Sequence, residues 1–297
     1  MKITGSPTCD PREYGPKPPF KNQQQQKPPG STELMSPKPD HGEDSYEGSG
    51  LLQDLTAVVT GADSGIGRAV ALAFAREGAD VVISYLNEGP DAEATERLVV
   101  EAGQRALRIP GDLAEEAHCQ QVIARTVAEF GRLDILVNNA AYQSTNEKPN
   151  EITSAEFDRA FRTNVYATFH LSQAALKEMK PGGVIINTTS IQGFDPNGVL
   201  LPYAATKSAI ASMTRTMAEL AIKQGIRVNG VAPGPVWTPL IPSTMPPKAY
   251  ENFGSSSVFK RPAQPAEMAP IYVFLASRYA SYVTGEIYGA TGGQMPL

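Results

Sequence analysis

Cysteine is nearly missing from this 297-residue chain: there are two, Cys9 and Cys119, beside three histidines, His41, His118 and His170. Two thiols so far apart make no disulfide framework, which points to a reducing, cytoplasmic setting. Neither stands at metal-ligand spacing from a histidine, so no metal site is expected. The histidines are assigned to satisfied surface or core roles. No apolar run approaches the roughly 18 residues that span a bilayer. The opening MKITGSPTCD lacks the apolar centre of a signal peptide, and no membrane partner is expected. Basic charge is not in excess: 26 Lys and Arg against 31 Asp and Glu leave a net charge of −5. Without a basic face, nucleic-acid binding is not expected.

What the chain does hold is apolar and regular. Hydrophobic residues make up 41% of it, enough for a real core in one large α/β domain or two small ones. Composition shifts near residue 50. Before it come PKPPF, QQQQKPPG and MSPKPDHGEDSYEGSG, rich in Pro, Gln, Gly and charge. Such a segment buries little apolar surface against its ordering entropy. Residues 1–50 therefore read as an extension, either a disordered tail or an extended arm without helix or strand. An arm would lie on the body or a neighbouring subunit, anchored by Phe20, Leu34, Met35 and Tyr46. From Leu55 onward, apolar runs at 55–60, 79–85, 106–110, 133–140, 183–190, 226–234 and 286–293 alternate with helical stretches. Runs apolar on both faces read as strands of a parallel sheet covered by helices on each side. RAVALAFAREG and QVIARTVAEFG carry helical periodicity and stop at Gly78 and Gly131. Residues 51–297 thus read as a single doubly wound α/β sheet of about seven strands.

The first strand runs into TGADSGIG, residues 60–67. Gly61, Gly65 and Gly67 sit where strand becomes helix. Glycine lets the backbone turn tightly there, and the helix N-terminus offers unpaired N–H groups and a positive dipole end to a phosphate. Farther on, LPYAATKSAI places Tyr203 and Lys207 four residues apart, one turn apart on one helix face.

TGADSGIG, NNAA at 138–141, Ser190, YAATK at 203–207 and PGPVWT at 233–238 occur in that order. With them, residues 51–297 resemble the short-chain dehydrogenase/reductase family in its single-domain form. The extension resembles that of a bacterial subgroup of these reductases. The resemblance implies a Rossmann-type fold, a nicotinamide cofactor and hydride transfer between alcohol and carbonyl. It implies a catalytic set of Asn164, Ser190, Tyr203 and Lys207. Tyr203 would be the acid/base. Lys207 would lower its pKa from about 10 and bond the nicotinamide ribose. Ser190 would hold the substrate oxygen, and Asn164 would link the lysine through water to solvent. The same resemblance implies cofactor contacts from Gly61, Asp63, Ser64, Gly65, Ile66 and Gly67 in the turn, and from Tyr85, Asp112, Leu113, Asn139 and Ala140 after the next strands. Pro233, Gly234, Val236 and Thr238 would meet the nicotinamide end, with Tyr203 and Lys207. The family usually shows NNAG; Ala141 replaces that glycine, and a modest change near the cofactor is expected.

An acidic residue ending the second strand selects NAD in dinucleotide folds. Tyr85 stands there and Glu88 comes later, so NADP is expected over NAD, with dual use open. NADP-using relatives often carry a basic residue in the turn; here it is Ser64, and Arg68 is the candidate substitute. Residues 239–262 are expected to form the substrate lid, with Trp237, Met245, Tyr250 and Phe253 as an apolar wall or lid packing. Ile191, Gln192 and Phe194 are further pocket candidates. The stretches 164–179 and 208–222 are apolar or small around their circumference, which suggests a partner subunit. The resemblance implies a homotetramer. The expected activity is NADP(H)-dependent reduction of an aldehyde or ketone. Alternatives are a glucose or sugar-alcohol dehydrogenase, a 3-oxoacyl thioester reductase, and a non-catalytic nucleotide-binding regulatory protein.

Overall fold

Each apolar run becomes a strand: β1 (Thr56–Thr60), β2 (Asp80–Tyr85), β3 (Ala106–Pro110), β4 (Ile135–Asn138), β5 (Val184–Thr188), β6 (Arg227–Pro233) and β7 (Ile287–Ala290). They form one parallel sheet in the order β3-β2-β1-β4-β5-β6-β7. The structure, a computed structural model, describes residues 10–294, so Cys9 lies outside the described residues. Between the strands run α1 (Gly65–Arg76), α2 (Gly89–Glu101), α3 (Glu116–Phe130), α4 (Ser154–Phe161), α5 (Ala167–Glu178), α6 (Leu201–Ala221), α7 (Leu240–Thr244), α8 (Pro247–Glu251) and α9 (Pro265–Ala276). Successive strand side chains point to opposite faces. Ala57, Val59, Val81 and Ile83 pack under α1, α2 and α9; Val58, Val82, Leu136 and Ile185 pack under α3, α5 and α6. The inner strands β2, β1, β4, β5 and β6 are buried on both faces, which is why their runs are largely apolar. None of the described helices is long and apolar enough to cross a membrane.

The chain winds outward from β1 to β3, then returns to β4 on β1's other side. Such a reversal opens a crevice beyond the carboxyl ends of β1 and β4. The strands stop short of the apolar runs there because their backbone finds other partners. The N–H groups of Asn139 and Ala140 donate to Thr60 Oγ1 at 2.9 and 3.0 Å instead of extending the ladder. The stretch expected as one helix from residue 164 begins instead as a π turn, Arg162–Tyr166, before α5.

The described part of the extension, residues 10–50, holds one 3₁₀ turn, Thr32–Leu34, and lies as an arm along the body. Phe20 stacks on Trp237 with centroids 4.2 Å apart, and Trp237 Nε1 donates to the Pro37 carbonyl at 2.8 Å. Phe20, Met35, Trp237, Ile241 and Tyr250 form one buried cluster. Farther along, Glu77 accepts from the Tyr46 hydroxyl and from the N–H groups of Ser49 and Leu51. Phe20, Met35 and Tyr46 are therefore anchors. Leu34 is not, being 63% exposed on the outer side of its turn. His41 is buried within the arm, its Nδ1 3.1 Å from Glu43, and burial holds the imidazole below its usual pKa. His41 Nε2, His118 Nε2 and His170 Nδ1 find no hydrogen-bond partner among the described residues, so full satisfaction of the histidines does not hold at these atoms.

Candidate active site

The turn between β1 and α1 needs glycine for two different reasons. Gly61 and Gly65 have φ of +62° and +52°, where a Cβ is strained. Gly67 is needed for space: a Cβ there would stand 2.0 Å from Gly61 O and 2.7 Å from Asn139 Nδ2. Helix and strand thereby close on each other with the helix N-terminus at the crevice. The first N–H bonded back into this turn is that of Arg68, to Ser64 O at 3.0 Å. The N–H groups before it have no intrahelical partner, and the Ser64 side chain caps none of them. This donor set and the helix dipole fit an anion such as a dinucleotide's pyrophosphate.

Arg68 does not serve this crevice. It is 5% exposed, beneath the turn; its guanidinium donates to Asp63 O (2.9 and 2.6 Å) and Thr95 Oγ1, and pairs with Asp91 Oδ1 at 3.1 Å. The donors with partners, Nε and Nη2, are directed inward and brace the turn against α2, so they do not take the place of a basic turn residue. Asp63 is buried beside it, and burial pushes its carboxyl up to about 6.

The crevice is a cleft of about 1180 Å³, roomy against the roughly 300–1,000 Å³ of ordinary small-molecule sites. The residues expected at the cofactor all line it except Gly67, which acts from behind, as does Asn164 among the catalytic set. Tyr85 stands at the end of β2 and Glu88 follows it. Asp112 pairs with Arg159 at 2.7 Å. Burial raises the Asp112 carboxyl, but the guanidinium and the Ala114 N–H outweigh it and hold it below the usual range.

At the other end of the cleft, Ser190, Tyr203 and Lys207 converge. Tyr203 and Lys207 stand on consecutive turns of α6, 9% and 1% exposed. Ser190 follows β5, its Oγ accepts the Gln192 N–H at 3.1 Å, and its hydroxyl favours the ionised form of Tyr203. Lys207 Nζ donates to the Thr188 carbonyl at 2.7 Å and lies 5.4 Å from the Tyr203 ring centroid. Burial opposes the expected depression of the phenol pKa by Lys207. Burial raises Tyr203 to about 12, the Ser190 bond opposing it only in part, and lowers Lys207 to about 7. With no carboxylate beside it among the described residues, a buried ammonium loses its proton readily, and a half-neutral amine stabilises phenolate weakly.

Asn164 reaches the set at one remove. Its Oδ1 accepts the Tyr142 N–H at 2.7 Å, and its Nδ2 donates to Tyr142 O and to Thr206 Oγ1 at 2.9 and 3.0 Å. It thus ties the π turn to the loop after β4 and to α6. Behind it, Asn138 Nδ2 donates to Asn187 Oδ1 at 2.9 Å and Asn187 Nδ2 to Thr214 Oγ1 at 3.0 Å, locking β4, β5 and α6 in register.

Residues 239–262 border the cleft with α7 and α8, and Met245 and Phe253 line it, as do Ile191 and Gln192. Trp237, Tyr250 and Phe194 do not: the first two are taken up by the arm. Sequence reasoning missed Thr188, Gln143, Arg159, Pro28 and Pro29 among the lining residues. Thr188 was reachable, standing two residues before Ser190 in NTTS. The others carry no local signal, since what brings them here lies far along the chain. Gln143 is one example: its side chain donates to Thr244 Oγ1 at 2.8 Å.

A family model described as enoyl-(acyl carrier protein) reductase matches residues 61–294. The chain is 46% identical over 281 residues to glucose and ribitol dehydrogenase homolog 2 of Arabidopsis thaliana, covering 92% of this chain and 97% of that protein. It is 44% identical over 278 residues to NADPH-dependent aldehyde reductase 1, chloroplastic, of the same plant, covering 91% and 96%. Residues 51–297 number only 247, so both matches run into the extension. Among solved structures, a short chain dehydrogenase from Burkholderia cenocepacia in complex with NADP superposes with a TM-score of 0.77 at 30% identity, over 82% of this chain and 98% of that one.

Proposed function

The chain belongs to the short-chain dehydrogenase/reductase family of oxidoreductases, and on that premise we propose that it is an NADP(H)-dependent reductase of aldehydes or ketones. The observation that carries this is the convergence of Ser190, Tyr203 and Lys207 at one end of a cleft whose other end is an anion-cradling helix N-terminus. A nicotinamide, when bound, supplies the hydride. The chain's residues do the rest. Ser190 holds the carbonyl oxygen. Tyr203, with its pKa pushed to about 12, stays protonated at neutral pH and hands that proton to the more basic developing alkoxide. We assign Lys207 to bond the nicotinamide ribose and to recharge Tyr203. Asn164 is the residue assigned to the path by which protons return from solvent.

The preference for NADP rests on Tyr85 where an NAD-selective site would place a carboxylate, and on the solved relative bound to NADP. With Arg68 bracing the turn from below, we assign Ser64 to the 2′-phosphate and the main chain of the turn to the pyrophosphate. A second reading is favoured by the polar side chains of Gln143, Gln192 and Asn197 on the cleft. They suit a polyhydroxylated substrate, as does the relative named for glucose and ribitol. Exposed Tyr166 and Phe169 at the start of α5 and Leu220 on α6 provide apolar surface for the homotetramer we propose. The test is oxidation of NADPH and NADH against aldehydes, ketones and 3-oxoacyl thioesters, with sugars and polyols in reverse. Fast NADPH turnover with small carbonyls supports the first reading. Reaction confined to polyols supports the second, and no hydride transfer with any of them overturns both.

A further inference from the structure

Pro28 and Pro29 line the cleft, although they lie far from every element of the sheet in sequence. We propose that the extension completes the nucleotide cleft: Pro28 and Pro29 form part of its wall, and the arm around them holds the lid in place over it. The contacts run in one line across the cleft mouth. On the lid side, Phe20 N–H donates to Glu251 O at 2.8 Å, Gln26 N–H to Pro242 O at 2.9 Å, and Ser243 Oγ to Pro29 O at 3.2 Å. Both lid helices, α7 and α8, are therefore tied to the arm. At the lid's root, Gly30 adopts φ +90°, and a Cβ on it would stand 2.6 Å from Pro239 O. The arm can pass this close only as glycine. On the far side, Thr32 N–H donates to Asp91 Oδ2 at 2.9 Å, while Asp91 Oδ1 pairs with Arg68, which bonds Asp63 O of the glycine turn. The arm thus bridges from the lid to the structure that braces the anion cradle. Proline fixes φ along it, so the wall is ordered before a ligand arrives and ligand binding bears less ordering cost.

This inference rests on the nucleotide reading only for what the cleft holds; the hold on the lid stands apart from it. Phe20→Ala and Gly30→Ala, made in the full chain, test both. The chain's single tryptophan, Trp237, reports the arm because Phe20 stacks on it. Circular dichroism confirms that each variant is folded. The expected results are a red-shifted Trp237 emission, hydrogen exchange of residues 240–253 faster by about tenfold or more, and a Kd for NADPH raised about tenfold, which is about 1.4 kcal/mol. Red-shifted emission with unchanged lid exchange and unchanged Kd overturns the proposal, leaving the arm as surface packing. Unchanged emission and exchange in both variants also overturns it. If wild-type protein binds no NADPH, the cofactor reading fails, and the exchange data still judge the hold on the lid.

Discussion

Tyr203 and Lys207 stand on α6, a helix of 21 residues, whereas Pro28 and Pro29 stand on a stretch whose one regular element is a three-residue 3₁₀ turn. Both pairs face the same cleft. The first is positioned by periodic backbone and by the asparagine bonds that join β4, β5 and α6. The second is positioned by separate bonds, each made to a different element. Rigid elements hold reacting groups to sub-ångström tolerance. Point contacts hold a wall, and any one of them can be lost alone. The two regions meet at Asp91, which accepts from the arm's Thr32 and pairs with Arg68 under the glycine turn.

That junction is where the contrast is most easily broken. Arg68→Met leaves Asp91 buried without its partner, and such losses cost about 3–5 kcal/mol. Denaturant melts should show that fall, while the ratio of NADPH to NADH affinity stays unchanged; a shift in the ratio would return Arg68 to the cofactor. Gly67→Ala acts on the cleft side alone. Its Cβ would drive against Gly61 O, costing about 1–3 kcal/mol as overpacking does. Cofactor titration should weaken while Trp237 emission stays constant, and a shifted emission would mean that turn and arm are not separable. The smallest effect is a slope. Lys207 has a folded pKa lowered from 10.5 to about 7, so between those values the unfolded chain binds more protons. Its penalty on stability is full below pH 7 and fades as pH rises towards 10.5. Wild-type stability should therefore gain on that of Lys207→Met over this window, by at most about 1.4 kcal/mol per pH unit. Parallel curves would place Lys207 in a more polar setting than its burial indicates.

How far each region could be read beforehand follows from the same difference. Inner strands buried on both faces must be largely apolar and β-branched, so their runs announced them, and the half-buried edge strands β3 and β7 showed as apolar runs as well. Gly61 and Gly65 announced the turn because left-handed backbone excludes most other residues. The π turn at Arg162–Tyr166 escaped notice because it depends on Asn164 bonding Tyr142, two segments apart in sequence. The sequence leaves Trp237 open between pocket wall and lid packing because its socket, Phe20, lies more than 200 residues earlier. Arg68 looked available to a phosphate because nothing local reveals Asp91 and Thr95 beneath the helix. The burial that opposes a lowered Tyr203 pKa was hidden for a related reason. Spacing on a helix gives proximity to Lys207, but the sign depends on burial, which spacing does not report.

The central claim is that Tyr203 supplies the proton in a carbonyl reduction. Turnover of NADPH with the best carbonyl substrate, measured beside the NADPH Kd in wild type and Tyr203→Phe, tests it most directly. Loss of a positioned acid should lower kcat by about 10²–10⁴-fold and leave the Kd within about threefold, well under 1.4 kcal/mol. Near-normal kcat in Tyr203→Phe would contradict the account and leave the Ser190, Tyr203 and Lys207 cluster without its chemistry.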